Sequence, residues 1–237
     1  MTGHLVAIGG GDFSAEETPL LDDYILGLAR RANPRVCFLP TASRDDPARV
    51  ARFHRALGHR CVASDLMLDE PPELPRRARH GAELAAFVAG QDIFCVGGGN
   101  TAHLLTRWRV HGLDVLLRDA WHAGAVLAGV SAGMLCWFES CVTDSFGPLD
   151  GMREGLGFLP GSACPHYDAD ARRRPTFHRL VAAGLPGGYA ADDDAALHFS
   201  GTTLVGAVSA TPGAACYRVS ATAGVVTEER LETRYLG

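Results

Sequence analysis

Short apolar runs ending in glycine, proline or serine alternate along this chain with longer stretches of helical periodicity, and few architectures accommodate that rhythm. The pattern predicts strands over residues 5–8, 36–39, 61–63, 93–96 and 125–130, with helices over 19–31, 47–57, 79–89 and 102–120 between them. Beyond residue 150 the rhythm loosens. A helix over 170–183 is followed by strands over 195–199, 203–208 and 214–219 joined by turns, which reads as an antiparallel section. The expected class is therefore α/β, a mostly parallel sheet with covering helices and antiparallel C-terminal strands. No internal repeat or long linker divides the 237 residues, so one domain spanning 1–237 is expected, with residues 71–77 as an exposed loop.

Composition removes several function classes. All 22 basic residues are arginine; without lysine there is no Schiff-base chemistry and no phosphate-gripping lysine of a P-loop. A net charge of −5, with arginines massed only at Arg76, Arg77 and Arg79 and again at Arg172 to Arg174, argues against nucleic acid. The seven cysteines are unevenly spaced and form no Cys-x-x-Cys pair, and the start lacks a basic segment leading into a long apolar run. A reduced, cytoplasmic protein without a membrane span is expected. Neither His-x-x-x-His nor a tight carboxylate cluster occurs apart from one aspartate turn, so no metal or other cofactor is expected.

Chemistry concentrates where residues 125–138 read AVLAGVSAGMLCWF: an apolar strand, the pentad Gly129-Val130-Ser131-Ala132-Gly133, then an expected helix. This is the pattern of a nucleophile elbow, in which a tight strand-to-helix turn lifts the serine oxygen clear of the sheet. The alternative is a glycine-rich turn whose serine caps a helix. At the end of an earlier strand stands Gly97-Gly98-Gly99-Asn100-Thr101, where unencumbered amides can converge as an anion-binding nest. The amide of Gly98 or Gly99, together with that of Ala132, would supply an oxyanion hole. A phosphate loop or a plain tight turn is the competing reading. Neither this loop nor Gly9-Gly10-Gly11 contains GxGxxG with a suitably placed acid.

A serine nucleophile needs a base, and His166, downstream of the elbow in Cys164-Pro165-His166-Tyr167, is the candidate among ten histidines. His54, His103 and His178 fall in helical segments and read as structural or surface residues. For the orienting acid, Asp193 in Asp192-Asp193-Asp194 stands first, Asp144 second and Asp168 third, with a solvated turn as the alternative for the aspartate run.

These residues together resemble dipeptidase E, the α-aspartyl dipeptidase, and its cyanophycinase-like relatives. The resemblance rests on GGGNT at 97–101, GVSAGM at 129–134, Thr143-Asp144, Pro165-His166 and the strand-entry segment 192–197, in that order across nearly the whole chain. It implies a three-layer α/β sandwich like that of class I glutamine amidotransferases, with serine in place of their cysteine, and metal-free hydrolysis of short peptides. Both Asp144 and Asp193 are inherited as acid candidates. An aspartate stands where relatives often carry glutamate, and the segment after the histidine is shorter, which leaves specificity open.

Dipeptides with N-terminal aspartate are the first expected substrates, with Asn100, Thr101, Arg172 and Arg174 as substrate-binding candidates. A solvated arginine face is the alternative for Arg172 to Arg174. Competing functions are a cyanophycinase-like or carboxypeptidase-like hydrolase, a glutamine amidotransferase-like activity, and a silent relative that binds an amino acid or peptide. The expected partners are a small peptide substrate and a second copy of the chain, with neither nucleic acid nor a membrane among them.

Overall fold

The computed structural model describes residues 3–11, 19–68 and 79–237. The first half of the chain alternates as β1 (His4–Ile8), α1 (Leu20–Gly27), β2 (Arg35–Leu39), α2 (Pro47–Leu57), β3 (Val62–Asp65), α3 (Gly81–Ala89), β4 (Ile93–Val96), α4 (Thr101–His111), α5 (Leu113–Ala123) and β5 (Val126–Val130). After it come α6 (Ala132–Leu135), β6 (Phe138–Thr143), β7 (Asp150–Met152), β8 (Leu159–Cys164), α7 (Arg173–Ala182), β9 (Gly188–Ala191) and β10 (Ala195–Ser200). The chain closes with β11 (Thr203–Ser209), β12 (Cys216–Thr222), β13 (Val225–Arg230) and β14 (Thr233–Tyr235).

Eight strands form the main sheet in the order β14-β11-β10-β1-β5-β4-β2-β3. From β1 to β3 the neighbours are all parallel, while β10 and β11 are antiparallel additions beyond β1. Alternating side chains divide the two faces, as the period of a strand requires. Leu5, Ala7, Phe94, Val96 and Leu127 join a core shared with α3, α4 and α5. Val6, Ile8, Ile93, Cys95, Val126 and Ala128 join the opposite one, which α1 and α2 cover with Leu21, Ile25, Phe53 and Leu57. Fully burying a side chain such as Phe53 or Leu57 contributes roughly 1.5–3 kcal/mol. The α/β class with helices on both faces is thus present.

A second sheet, in the order β13-β12-β9-β8-β6-β7, goes beyond the sequence expectation. Its strands β6, β8 and β9 run parallel to one another, and the remaining pairings are antiparallel. It takes the residues following the Ser131 turn, and α6 is therefore a single turn rather than the helix expected after the pentad 129–133. Trp137 and Phe138 are fully buried, with Trp137 packed against Trp108 and Phe158, so aromatic burial between the sheets overrides helical continuation. The helix expected over 102–120 is likewise two, broken at Gly112 with φ of 68°. The loop expected over 71–77 lies outside the described residues.

Because β1, β2, β4 and β5 are parallel, residues 9–11, 40–46, 97–100 and 131 leave the sheet at one edge, where ligands of open α/β sheets gather. No helix among the described residues is long and apolar enough to cross a membrane.

Candidate active site

Ser131 occupies the step between β5 and α6 at φ 54° and ψ −111°, a conformation costly for a non-glycine residue. Its flanking glycines make the turn feasible. A Cβ on Gly129 would strike the carbonyl of Gly133, and one on Gly133 would strike the carbonyl of Val96. The Ser131 amide donates to the Ile8 carbonyl at 3.0 Å, which fastens the turn to β1.

Opposite Ser131, His166 follows β8 with φ of 50°, and its amide donates to the Gly9 carbonyl at 3.2 Å. The imidazole Nε2 lies 2.8 Å from Ser131 Oγ, and Nδ1 lies 2.6 Å from Asp193 Oδ1. An acceptor-only carboxylate at Nδ1 places the proton there, which leaves Nε2 to accept from the serine hydroxyl. His166 and Asp193 are 29% and 37% exposed at their side chains, so the pair is both held and reachable. A hydroxyl joined through imidazole to carboxylate is an arrangement able to pass the hydroxyl proton to the ring while the carboxylate stabilises the resulting imidazolium.

The three consecutive aspartates avoid mutual repulsion by diverging. Asp192 is buried, and Oδ2 accepts from the Ala215 amide at 2.9 Å and the Tyr217 hydroxyl at 3.3 Å; burial raises its pKa. Asp194 accepts from Thr211 at 2.9 Å, and Asp193 alone turns to the histidine. Asp168 accepts from the Asp193 amide at 2.9 Å and so buttresses the turn rather than the imidazole.

Gly98 comes close enough to Ser131 that a Cβ there would sit 3.4 Å from Ser131 Cβ. Among the described residues, the amides of Gly98, Gly99 and Ala132 donate to no carbonyl, so they are available to an oxyanion. Asn100 and Thr101 have other work. The Asn100 side chain caps α4 through the His103 amide at 2.8 Å and donates to the Ser145 carbonyl at 3.0 Å, and Thr101 is buried with its amide on Ser145 Oγ.

Asp144 and the arginines are outside the hydrogen-bonded chain of Ser131, His166 and Asp193. Asp144 is exposed on the turn after β6, and none of the described side-chain hydrogen bonds joins it to Ser131 or His166. Arg172 donates twice to Asp170, each time at 2.9 Å, and Arg174 pairs with Glu228 while lying over the rings of Tyr167 and Tyr217 at 4.5 and 4.6 Å. These guanidiniums thus brace α7 and the second sheet. Glu228 also accepts from Tyr167 and His178; although burial opposes ionisation, these hydrogen bonds and Arg174 leave its pKa lowered. It stands on β13, a strand absent from the sequence reading, and its position carried no motif.

Gly10 was also missed. A Cβ there would overlap the Asp193 carboxylate and come 2.6 Å from His166 Nδ1, so only glycine leaves room for that hydrogen bond. The signal was three glycines directly after β1, dismissed because they did not form a nucleotide loop.

All seven cysteines are free and buried, and burial pushes their thiols up, Cys141 and Cys164 to about 12. None is placed as a thiolate nucleophile. Among the described residues no group of three or more His, Cys, Asp or Glu side chains could hold a metal ion.

Known proteins resemble this chain over nearly its whole length. Residues 5–206 match the model of peptidase family S51. The "Uncharacterized peptidase YgaJ" of Bacillus subtilis (strain 168) is 48% identical over 236 residues, covering 98% of this chain and 99% of the relative. Two solved structures share the fold at 18% identity. A peptidase from an acI-B1 Actinobacterium superposes with a TM-score of 0.70 over 98% of this chain and 95% of its own. A "Putative Peptidase E Protein" from Listeria monocytogenes EGD-e does so with 0.61 over 98% and 100%. With a family model matched over most of its length and a near-full-length relative at this identity, the chain belongs to peptidase family S51.

Proposed function

We propose that this chain is a serine peptidase of short peptides, with Ser131 as nucleophile, His166 as general base and then acid, and Asp193 as the acid that orients the imidazole. The observation that carries the reading is the unbroken hydrogen-bond relay from Ser131 through His166 to Asp193, at 2.8 and 2.6 Å. As Ser131 Oγ attacks the scissile carbonyl, its proton passes to His166 Nε2. The carbonyl oxygen takes up negative charge facing the amides of Ala132 and of Gly98 or Gly99. His166 then protonates the leaving amine, the acyl group stays on Ser131, and a water activated by the same imidazole releases it. Dipeptides with N-terminal aspartate are the first substrates in this reading, and no step calls for a metal.

A fluorophosphonate should phosphonylate Ser131 stoichiometrically with loss of fluoride, as read by peptide mapping, and the protein should cleave at least one of Asp-Leu, Asn-Leu and Ala-Leu. Neither labelling nor cleavage would make the chain a silent binder. Labelling together with cleavage only at the C-terminus of longer peptides would make it a carboxypeptidase instead.

Gly10→Ala offers an independent check on the relay. The methyl group displaces Asp193 from His166 without touching any of the three side chains' identities, and misplacing a catalytic group by about 1 Å costs roughly a hundredfold. Kinetics on the best dipeptide should show a fall in kcat of about that size. An unchanged kcat would mean that Asp193 does not act through His166.

A further inference from the structure

Arg49 lies at the site edge. It stands in the first turn of α2, half-buried, and Nη1 donates to the Gly98 carbonyl at 3.2 Å. Among the described residues no carboxylate pairs with it, whereas Arg60, Arg172 and Arg174 each have one. A guanidinium has five N–H donors in a planar fork, and one backbone carbonyl occupies only part of that capacity. The same point above Gly98, where a Cβ would be, lies 3.8 Å from Arg49 Nη1 and 3.4 Å from Ser131 Cβ. A cation with no carboxylate partner among the described residues therefore sits beside the nucleophile.

The loop that delivers Arg49 is firmly docked. The Ala42 carbonyl accepts from the Asn100 amide at 2.8 Å, and Trp108 Nε1 donates to Thr41 Oγ1 at 3.1 Å. Arg44 and Asp45 hold left-handed conformations at φ 57° and 55°, and the Asp45 carboxylate accepts from the Leu68 amide. Asp46 then caps α2 by accepting from the Ala48 amide at 2.9 Å. A guanidinium carried on so fixed a support loses little freedom when it takes a ligand.

We infer that Arg49 is a specificity-determining residue that binds a substrate carboxylate three bonds from the scissile carbonyl carbon, an inference that rests on the peptidase reading above. Two carboxylates of an aspartyl dipeptide satisfy that spacing: the side chain of the N-terminal aspartate and the C-terminal α-carboxylate. Both are planar acceptors suited to a bidentate guanidinium. A competing role is that of a brace. Holding the Gly98 carbonyl fixes the peptide plane and so aims the Gly99 N–H in the opposite direction. A brace changes the rate for every substrate alike, whereas a carboxylate receptor changes the ratio between substrates.

The test compares wild type, R49Q and R49K on Asp-Leu, Asn-Leu and Asp-leucinamide, with the fold checked by thermal melting and the elbow by fluorophosphonate labelling. Wild type should favour Asp-Leu over at least one neutralised analogue by about tenfold to a hundredfold. In R49Q that ratio should collapse toward one, mainly through KM, and R49K should keep part of it. Collapse of the Asp-Leu to Asn-Leu ratio identifies the side-chain carboxylate; collapse of the Asp-Leu to Asp-leucinamide ratio identifies the C-terminal one. Should R49Q fail to fold, R49K carries the same comparison. Unchanged ratios in a folded variant, or no carboxylate preference in wild type, overturn the inference while leaving the peptidase reading intact. Absence of any cleavage by wild type brings down the peptidase reading, and this inference with it.

Discussion

Ser131→Ala should lower kcat by about six powers of ten, the scale seen when a serine hydrolase loses its nucleophile. It should also abolish fluorophosphonate labelling. The fold should survive, for a physical reason. Alanine keeps the Cβ, so the strain at φ 54° is the same before and after, and among the described residues the one side-chain hydrogen bond lost is that to His166. A bond of that kind is worth about 1 kcal/mol net, which at this chain length is a shift of roughly 2–4 °C in Tm. Residual hydrolysis should exceed the uncatalysed rate, since the amides of Gly98, Gly99 and Ala132 are untouched. Calorimetry, peptide mapping and single-turnover kinetics on one preparation decide the matter. A variant with near-normal kcat, or one that still takes up the label, would end the assignment of Ser131.

Much of what surrounds Ser131 was legible because local chemistry leaves few choices. A buried parallel strand announces itself as a short apolar run, and the steric demands of the elbow force glycine at both 129 and 133. Gly97 to Thr101 was visible for the same reason: a strand end that must present backbone amides has to dispense with side chains. The relay itself spans residues 131, 166 and 193, which no local pattern connects. The need of a serine nucleophile for a base and an acid downstream put His166 and Asp193 forward as candidates, and the family resemblance kept Asp144 beside Asp193.

What stayed hidden depends on contacts remote in sequence. Strands β6 to β9 are three to six residues long, glycine stands in β7, β8 and β9, and β6 is buried everywhere except Glu139, so they lack the alternation that exposes a half-buried strand. The arginines at 172 and 174 read as ligand clamps because their carboxylate partners lie elsewhere: Asp170 within a turn whose form was unknown, and Glu228 on β13, 54 residues beyond Arg174. Arg49 was passed over for the converse reason. Within an amphipathic helix it reads as one more solvated charge, and only the packing of residues 40–46 against α4 shows that it faces Gly98.

The choice between Asp193 and Asp144 separates sharply in kinetics. Asp193→Asn should cut kcat by about four powers of ten, because the carboxamide preserves the shape but not the charge that stabilises the imidazolium, and its NH₂ group can turn the ring into the wrong tautomer. KM should change little, since Asp193 faces His166 and the Asp168-supported turn and reaches Ser131 only through the imidazole. Asp144→Asn should leave kcat within about threefold, as its carboxylate is exposed on the turn after β6 and outside the relay. If that carboxylate receives the substrate's α-ammonium group, the loss appears in KM alone. The two variants should be measured on the same dipeptide, with Tm recorded so that misfolding is not mistaken for lost chemistry. A large fall in kcat for Asp144→Asn, beside a mild effect for Asp193→Asn, would exchange the two roles and would require His166 to leave its 2.6 Å contact with Asp193 during turnover.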